Sequence, residues 1–234
     1  AEAAQELAFR AMEEESDQKA LELARKALAL DPDCIDARAV VIQTTIQGPD
    51  EQIEAYRKLL AEARSKMGKE FFEENRGHFW GVVETRPFMR ALESLAVLLV
   101  SRERIGESVA VMEEMIDLNP DDNQGIRDIL LGLYLGEGDI LKAGMLLDRY
   151  HEDDLAVFSW GRAIERFLSG DMEGANKALA DAFKANPHVV AIMAGIEEMS
   201  VGYEGYSPGD LNEARHCLLA LERVWEKQPD VIPW

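Results

Sequence analysis

Apolar and small residues recur along the chain at helical spacing, in blocks separated by polar turns. Leu7, Ala8 and Ala11 precede Ala20, Ala24 and Ala27; Leu95, Ala96 and Leu99 form another block; Leu130, Leu131 and Tyr134 precede Ala143 and Leu147; Trp160, Ile164 and Phe167 precede Ala175 and Leu179. Residues three and four apart share one face of an α-helix, so the blocks predict amphipathic helices. The breaks between them repeat their own chemistry. GDILKAGMLL from Gly138, GDMEGANKAL from Gly170 and GDLNEARHCL from Gly209 each read Gly-Asp, three residues, Ala, three residues, Leu. The glycine suits the left-handed conformation just past one helix, the aspartate can cap the next, and the Ala and Leu lie on one face. A second signal is Asp, Asn or Gln before proline: LALDPD ending at Asp33, IDLNPDD ending at Asp122, FKANPH ending at His188 and EKQPD ending at Asp230. Proline cannot continue a helix and constrains the residue before it, so each is read as a stop between hairpins. Pro120 and Pro187 lie two periods apart, and HEDD, His151 to Asp154, stands where the intervening proline is missing.

This pattern resembles the tetratricopeptide repeat, a pair of antiparallel helices. The resemblance implies an all-α fold, a right-handed α-α superhelix of about six hairpins in one domain over 1–234. The repeats are expected near 1–33, 33–67, 87–120, 123–155, 156–187 and 188–230, with insertions at 68–86 and 201–209. The second hairpin turns at Gly48-Pro49. The run AVVIQTTI from Ala39 is β-branched enough for a strand, but it falls where a hairpin needs its first helix and is read as helix.

Several stretches are also similar to the suppressor-of-tumorigenicity-seven family and its bacterial relatives, over about residues 78–230. They are HFWGVVETRPFMRAL from His78, LNPDDNQGIRDILL from Leu118, LLDRYHEDD from Leu146, ANPHV from Ala185 and YSPGDLNEA from Tyr206. That likeness implies a helical repeat protein and no catalytic residues. Eukaryotic members are linked with membranes, a property not carried over here, because no apolar run approaches the eighteen or so residues of a span.

Composition narrows the function. With 25 Lys and Arg against 45 Asp and Glu, the 234-residue chain has a formal charge of −20, which argues against nucleic acid and anionic membrane as partners. Apolar residues make up 47%, enough for a packed interior. Two cysteines far apart, Cys34 and Cys217, fit a reducing compartment, and a cytoplasmic location is expected. The four histidines are scattered without metal-ligand spacing, and no nucleophile or phosphate-loop motif appears, so no cofactor, no metal and no enzymatic activity are expected.

The expected function is therefore binding: a scaffold or adaptor that takes a peptide or protein segment on the concave face of the hairpin stack. Two groups of residues are candidates. His78, Trp80, Glu84, Arg86 and Arg90 concentrate around the first insertion, where an aromatic ring beside arginine can anchor a partner's side chain and carboxylate. The plainer reading has Phe79 and Trp80 fill a gap between repeats, with Thr85 as a cap and Pro87 in the first helical turn. Asn123, Arg127 and Arg162, with Arg90, form the second group, an expected clamp for a terminal carboxylate. Here the plainer reading has Asp122 or Asn123 cap a helix while Arg127 pairs with an acidic residue. A prenyltransferase-like enzyme subunit, with His78, Glu84 and His188 converging in one pocket, and an oligomerisation module are the alternatives. A further copy of the chain is a candidate partner.

Overall fold

The computed structural model describes residues 2–199, 205–232 and 234; part of the expected second insertion, 201–204, lies outside them. Among the described residues the regular structure is helical and contains no strand. The chain forms two compact units, Ala1–Ile126 and Arg127–Trp234, where the repeat spacing suggests one domain.

The first unit comprises α1 (Glu2–Met12), α2 (Asp17–Leu30), α3 (Ile35–Thr45), α4 (Pro49–Met67), α5 (Lys69–Asn75), a 3-10 turn at Val83–Thr85, α6 (Arg86–Ser101) and α7 (Ile105–Leu118). The expected spans 1–33, 33–67 and 87–120 each hold one helix pair, and the β-branched run from Ala39 is helical. Ala4, Ala8, Ala20, Ala24, Ala27 and Ala37 are buried where α1, α2 and α3 meet; short side chains let helices approach closely. Beside this alanine core lies a polar knot. Asp36 on α3 is 1% exposed, and Arg90 on α6 grips it with Nε 3.0 Å from Oδ1 and with Nη2 on Oδ2, while the amide of Gln5 on α1 donates to Oδ2. A buried carboxylate is tolerated only when paired, so this one contact ties the first helices of three successive pairs. Farther along, α4 and α7 are joined by Arg57–Glu107 and Arg64–Glu114. Both sequence numbers rise together along that ladder, so the two helices run parallel.

The hairpin turns of this unit carry no capping side chain at Ser16, Gly48 or Arg104. Between α6 and α7, Glu103 itself takes the left-handed conformation (φ +55°). The Arg104 N–H then reaches back to the Leu99 carbonyl at 2.9 Å, closing the end of α6.

α8 (Ile126–Gly136) leads into the second unit, which continues with α9 (Ile140–Arg149), α10 (Ala156–Ser169), α11 (Met172–Ala185), α12 (His188–Met193), α13 (Leu211–Ala220) and α14 (Glu222–Lys227). The three Gly-Asp turns adopt the expected geometry. Gly138, Gly170 and Gly209 have φ of +75°, +86° and +81°. Asp139, Asp171 and Asp210 follow them and accept the N–H of Lys142, Gly174 and Glu213 at 3.1, 2.9 and 2.7 Å. Backbone N–H groups on these carboxylates hold Asp171 and Asp210 below the usual range. At HEDD, Asp153 replaces the missing proline by accepting the Leu155 N–H at 3.0 Å ahead of α10. Glu213, 2% exposed, accepts from the Ala156 N–H, the Asn186 amide and the Gly209 N–H at 3.0, 2.9 and 2.6 Å. It thereby clips α10, α11 and α13 together. α12 has only 6 residues, and the chain turns after it at Gly195 (φ +68°). No described helix is long and apolar enough to cross a membrane.

Candidate functional site

The insertion at 68–86 is where the sequence concentrates its aromatic and basic residues. Phe79 is fully buried and Phe72 nearly so. Phe72, Phe79 and Phe88 form a ring cluster with centroids 4.9 to 6.2 Å apart, and the Phe79 N–H donates to Leu118 at the end of α7 at 3.0 Å. Phe79 thus fills the space between helices, as the plainer reading has it. Thr85 sits at the start of α6, but its hydroxyl turns back to the carbonyls of Phe79 and Val82 and caps nothing. Pro87 occupies the first turn of α6. Arg86 donates Nε to the Trp80 carbonyl at 2.9 Å and lies 5.5 Å over the Trp80 ring. His78 and Glu84 are exposed.

The arginines of the expected clamp are committed elsewhere. Arg90 holds buried Asp36. Arg127 pairs with Asp153 at 2.7 Å and stacks 4.8 Å over Tyr150. Arg162 donates Nη1 to the Asp153 carbonyl at 2.6 Å and Nη2 to the His151 carbonyl at 3.1 Å; burial lowers its pKa from the ordinary arginine value. Asp122, in the left-handed conformation with φ +48°, caps α8 through the Ile126 N–H at 2.8 Å, and Asn123 is exposed beside it. An arginine that neutralises a buried carboxylate or satisfies several carbonyls can clamp a ligand only by abandoning those groups, at the full desolvation cost. His188, for its part, pairs with Glu197 at 2.6 Å.

A different concavity in the first unit is open. A cleft of about 650 Å³ lies among α4, α5, α6 and α7, floored by Leu60, Phe72, Leu92, Leu95 and Val111 and edged by Arg57, Arg64, Lys69 and Arg76. Arg57 pairs with Glu54 at 2.8 Å and with Glu107. Arg64 pairs with Glu114 while lying 4.9 Å over Phe72, and Arg76 pairs with Asp117. These residues are missing from the sequence-derived candidates, although a signal exists. From Arg57 to Arg76 the chain has six basic residues against four acidic ones, the reverse of its overall balance, and Arg57 and Arg64, seven apart, share a helix face.

The chain matches no protein-family model and no curated protein.

The cleft sets exchangeable ion pairs beside apolar surface. Its ion pairs are solvent-exposed, and such pairs contribute only about 0–1 kcal/mol each, so an incoming carboxylate can replace Glu107, Glu114 or Asp117 at little cost. The floor offers apolar burial. Both cysteines are buried, and burial raises their pKa, that of Cys217 well above the ordinary value; neither thiol is a ready nucleophile at neutral pH.

Proposed function

We propose that the protein is a non-enzymatic protein-binding scaffold built from tetratricopeptide-like hairpins, and that the first unit takes a partner segment in the cleft among α4, α5, α6 and α7. The observation that carries this reading is the pairing of an apolar floor with an arginine edge in a chain of net charge −20. The edge arginines are held by solvent-exposed carboxylates that an incoming aspartate or glutamate can replace, so the groove favours a segment with a bulky apolar residue beside an acidic one, bound against the repulsion of the protein's overall negative charge.

The test is selection from a displayed random-peptide library against the wild-type protein and against a variant with Arg57→Glu and Arg76→Glu. Both positions are on the surface, so the variant should fold. Enrichment of peptides that place an acidic residue next to Leu, Phe or Trp, with binding at least tenfold weaker to the variant, is the expected outcome. Absence of enrichment, or equal binding to both proteins, would remove the cleft as the interaction site.

A further inference from the structure

The second unit holds a pocket unrelated to the arginine cleft. It has a volume of about 340 Å³ and lies among α10, α11, α12, α14 and the stretch that follows α14, with Trp160, Ile164, Leu179, Met193, Trp225 and Trp234 in its wall. Three of the chain's four tryptophans therefore converge on one small space. The described lining contains no charged side chain.

The three indoles differ in one respect. Trp225 donates Nε1–H to the Leu218 carbonyl at 3.2 Å. Trp234 donates to Asn176 Oδ1 at 3.2 Å, with its ring stacked 4.6 Å from Phe167. Trp160 is 5% exposed, and its N–H has no acceptor among the described residues. Buried indole N–H groups ordinarily find a partner, and one left unsatisfied forfeits its hydration without return. A wall that is otherwise apolar thus contains a single unused donor.

We infer that this pocket binds a small uncharged aromatic molecule carrying one hydrogen-bond acceptor, its ring among the indoles and its acceptor on the Trp160 N–H. The size fits, since the space equals roughly ten water volumes and stands at the lower end of small-molecule sites. An anion is disfavoured by the cost of placing a negative charge against an uncharged apolar wall, and a cation, which indole faces can hold, would leave the Trp160 donor unused. The Trp160 nitrogen is itself covered, so the acceptor reaches it as a neighbouring side chain yields. Val190, Met193 and Ile232, 37%, 39% and 56% exposed, are the lining groups most open to solvent, and methionine in particular adapts its shape readily.

Acetophenone and isopropylbenzene are suitable probes, because they share a shape and only the first has a carbonyl. With tryptophan labelled by nitrogen-15, the indole signals are assigned from Trp160→Phe, Trp225→Phe and Trp234→Phe, and each probe is titrated to its solubility limit. Both probes should shift the Trp225 and Trp234 signals saturably, and acetophenone alone should move the Trp160 N–H proton downfield. Trp160→Phe should weaken acetophenone about fivefold, the worth of one neutral hydrogen bond, and leave isopropylbenzene within twofold. Val190→Trp, which fills the pocket from its rim, should abolish the shifts. If Trp160→Phe fails to fold, Trp80→Phe identifies the remaining Trp160 signal by elimination, and that signal in the wild-type protein and the Val190→Trp variant decide the matter. No saturable shift, shifts that survive Val190→Trp, or an unmoved Trp160 signal with acetophenone would overturn the site.

Discussion

The two units close their helix pairs by different means. In the second unit, each Gly-Asp turn is complete in a few residues: the glycine reverses the chain and the next carboxylate caps the following helix. In the first unit, the turns at Ser16, Gly48 and Arg104 lack a side-chain cap. Distant groups hold its helices instead: Gln5, Asp36 and Arg90 from three helices, and phenylalanines from α5, the insertion loop and α6. Local signals therefore specify the second unit's turns, whereas contacts many residues apart fix the first unit's packing.

Substitutions should separate the two cases, with the largest effects in the first unit. Phe79→Ala empties a fully buried ring site and is expected to cost about 3–5 kcal/mol in denaturant unfolding followed by circular dichroism. Arg90→Met leaves Asp36 buried without its cation, and a loss of about 3–5 kcal/mol is expected; a loss below 1 kcal/mol would mean that the knot does not organise this unit. Gly170→Ala forces an alanine to φ near +86°, with an expected cost of roughly 1–2 kcal/mol. Asp139→Ala removes one cap and should cost about 1 kcal/mol, measurable as a small fall in the denaturation midpoint.

The smallest effect is a pH dependence. Asp171 and Asp210 are held below their ordinary pKa, first by the backbone N–H groups that they cap. Their folded-state pKa thus lies below the unfolded one. The stabilisation is complete at neutral pH and is lost as pH falls through the ordinary carboxylate range to the lowered values. Glu165 has the opposite sign, because burial raises its pKa. Replacing Asp171 and Asp210 with Asn, which still caps but does not titrate here, should flatten the acid limb of a thermal-stability profile against pH. An unchanged limb would show that the caps do not contribute to it.

The same contrast explains what was legible in the letters. The Gly-Asp turns, the proline stops and the helix-spaced alanines place the helix pairs, because each signal acts within one or two turns of backbone. HEDD also reads correctly as a turn without proline. The expected clamp of Asn123, Arg127, Arg162 and Arg90 is less well matched by the structure, since each arginine is committed to a partner that lies nine or more residues away in sequence: Arg90 to Asp36, Arg127 to Asp153 and Arg162 to Asp153. No spacing rule reveals such a commitment. The arginine cleft and the tryptophan pocket are not visible in the sequence for the same reason, although the local reversal of charge between Arg57 and Arg76 points to the first.

The sequence alone determined that the chain is helical, where most helices start and stop, and that it is strongly acidic. These properties follow from backbone propensity, turn chemistry and charge, which need no distant neighbour. Tertiary structure alone decided which arginines are spent on buried carboxylates and carbonyls, which phenylalanines become core, and that three tryptophans from Trp160 to Trp234 surround one space. A side chain's availability depends on desolvation and on partners brought together by packing, and these exist only once the helices have met.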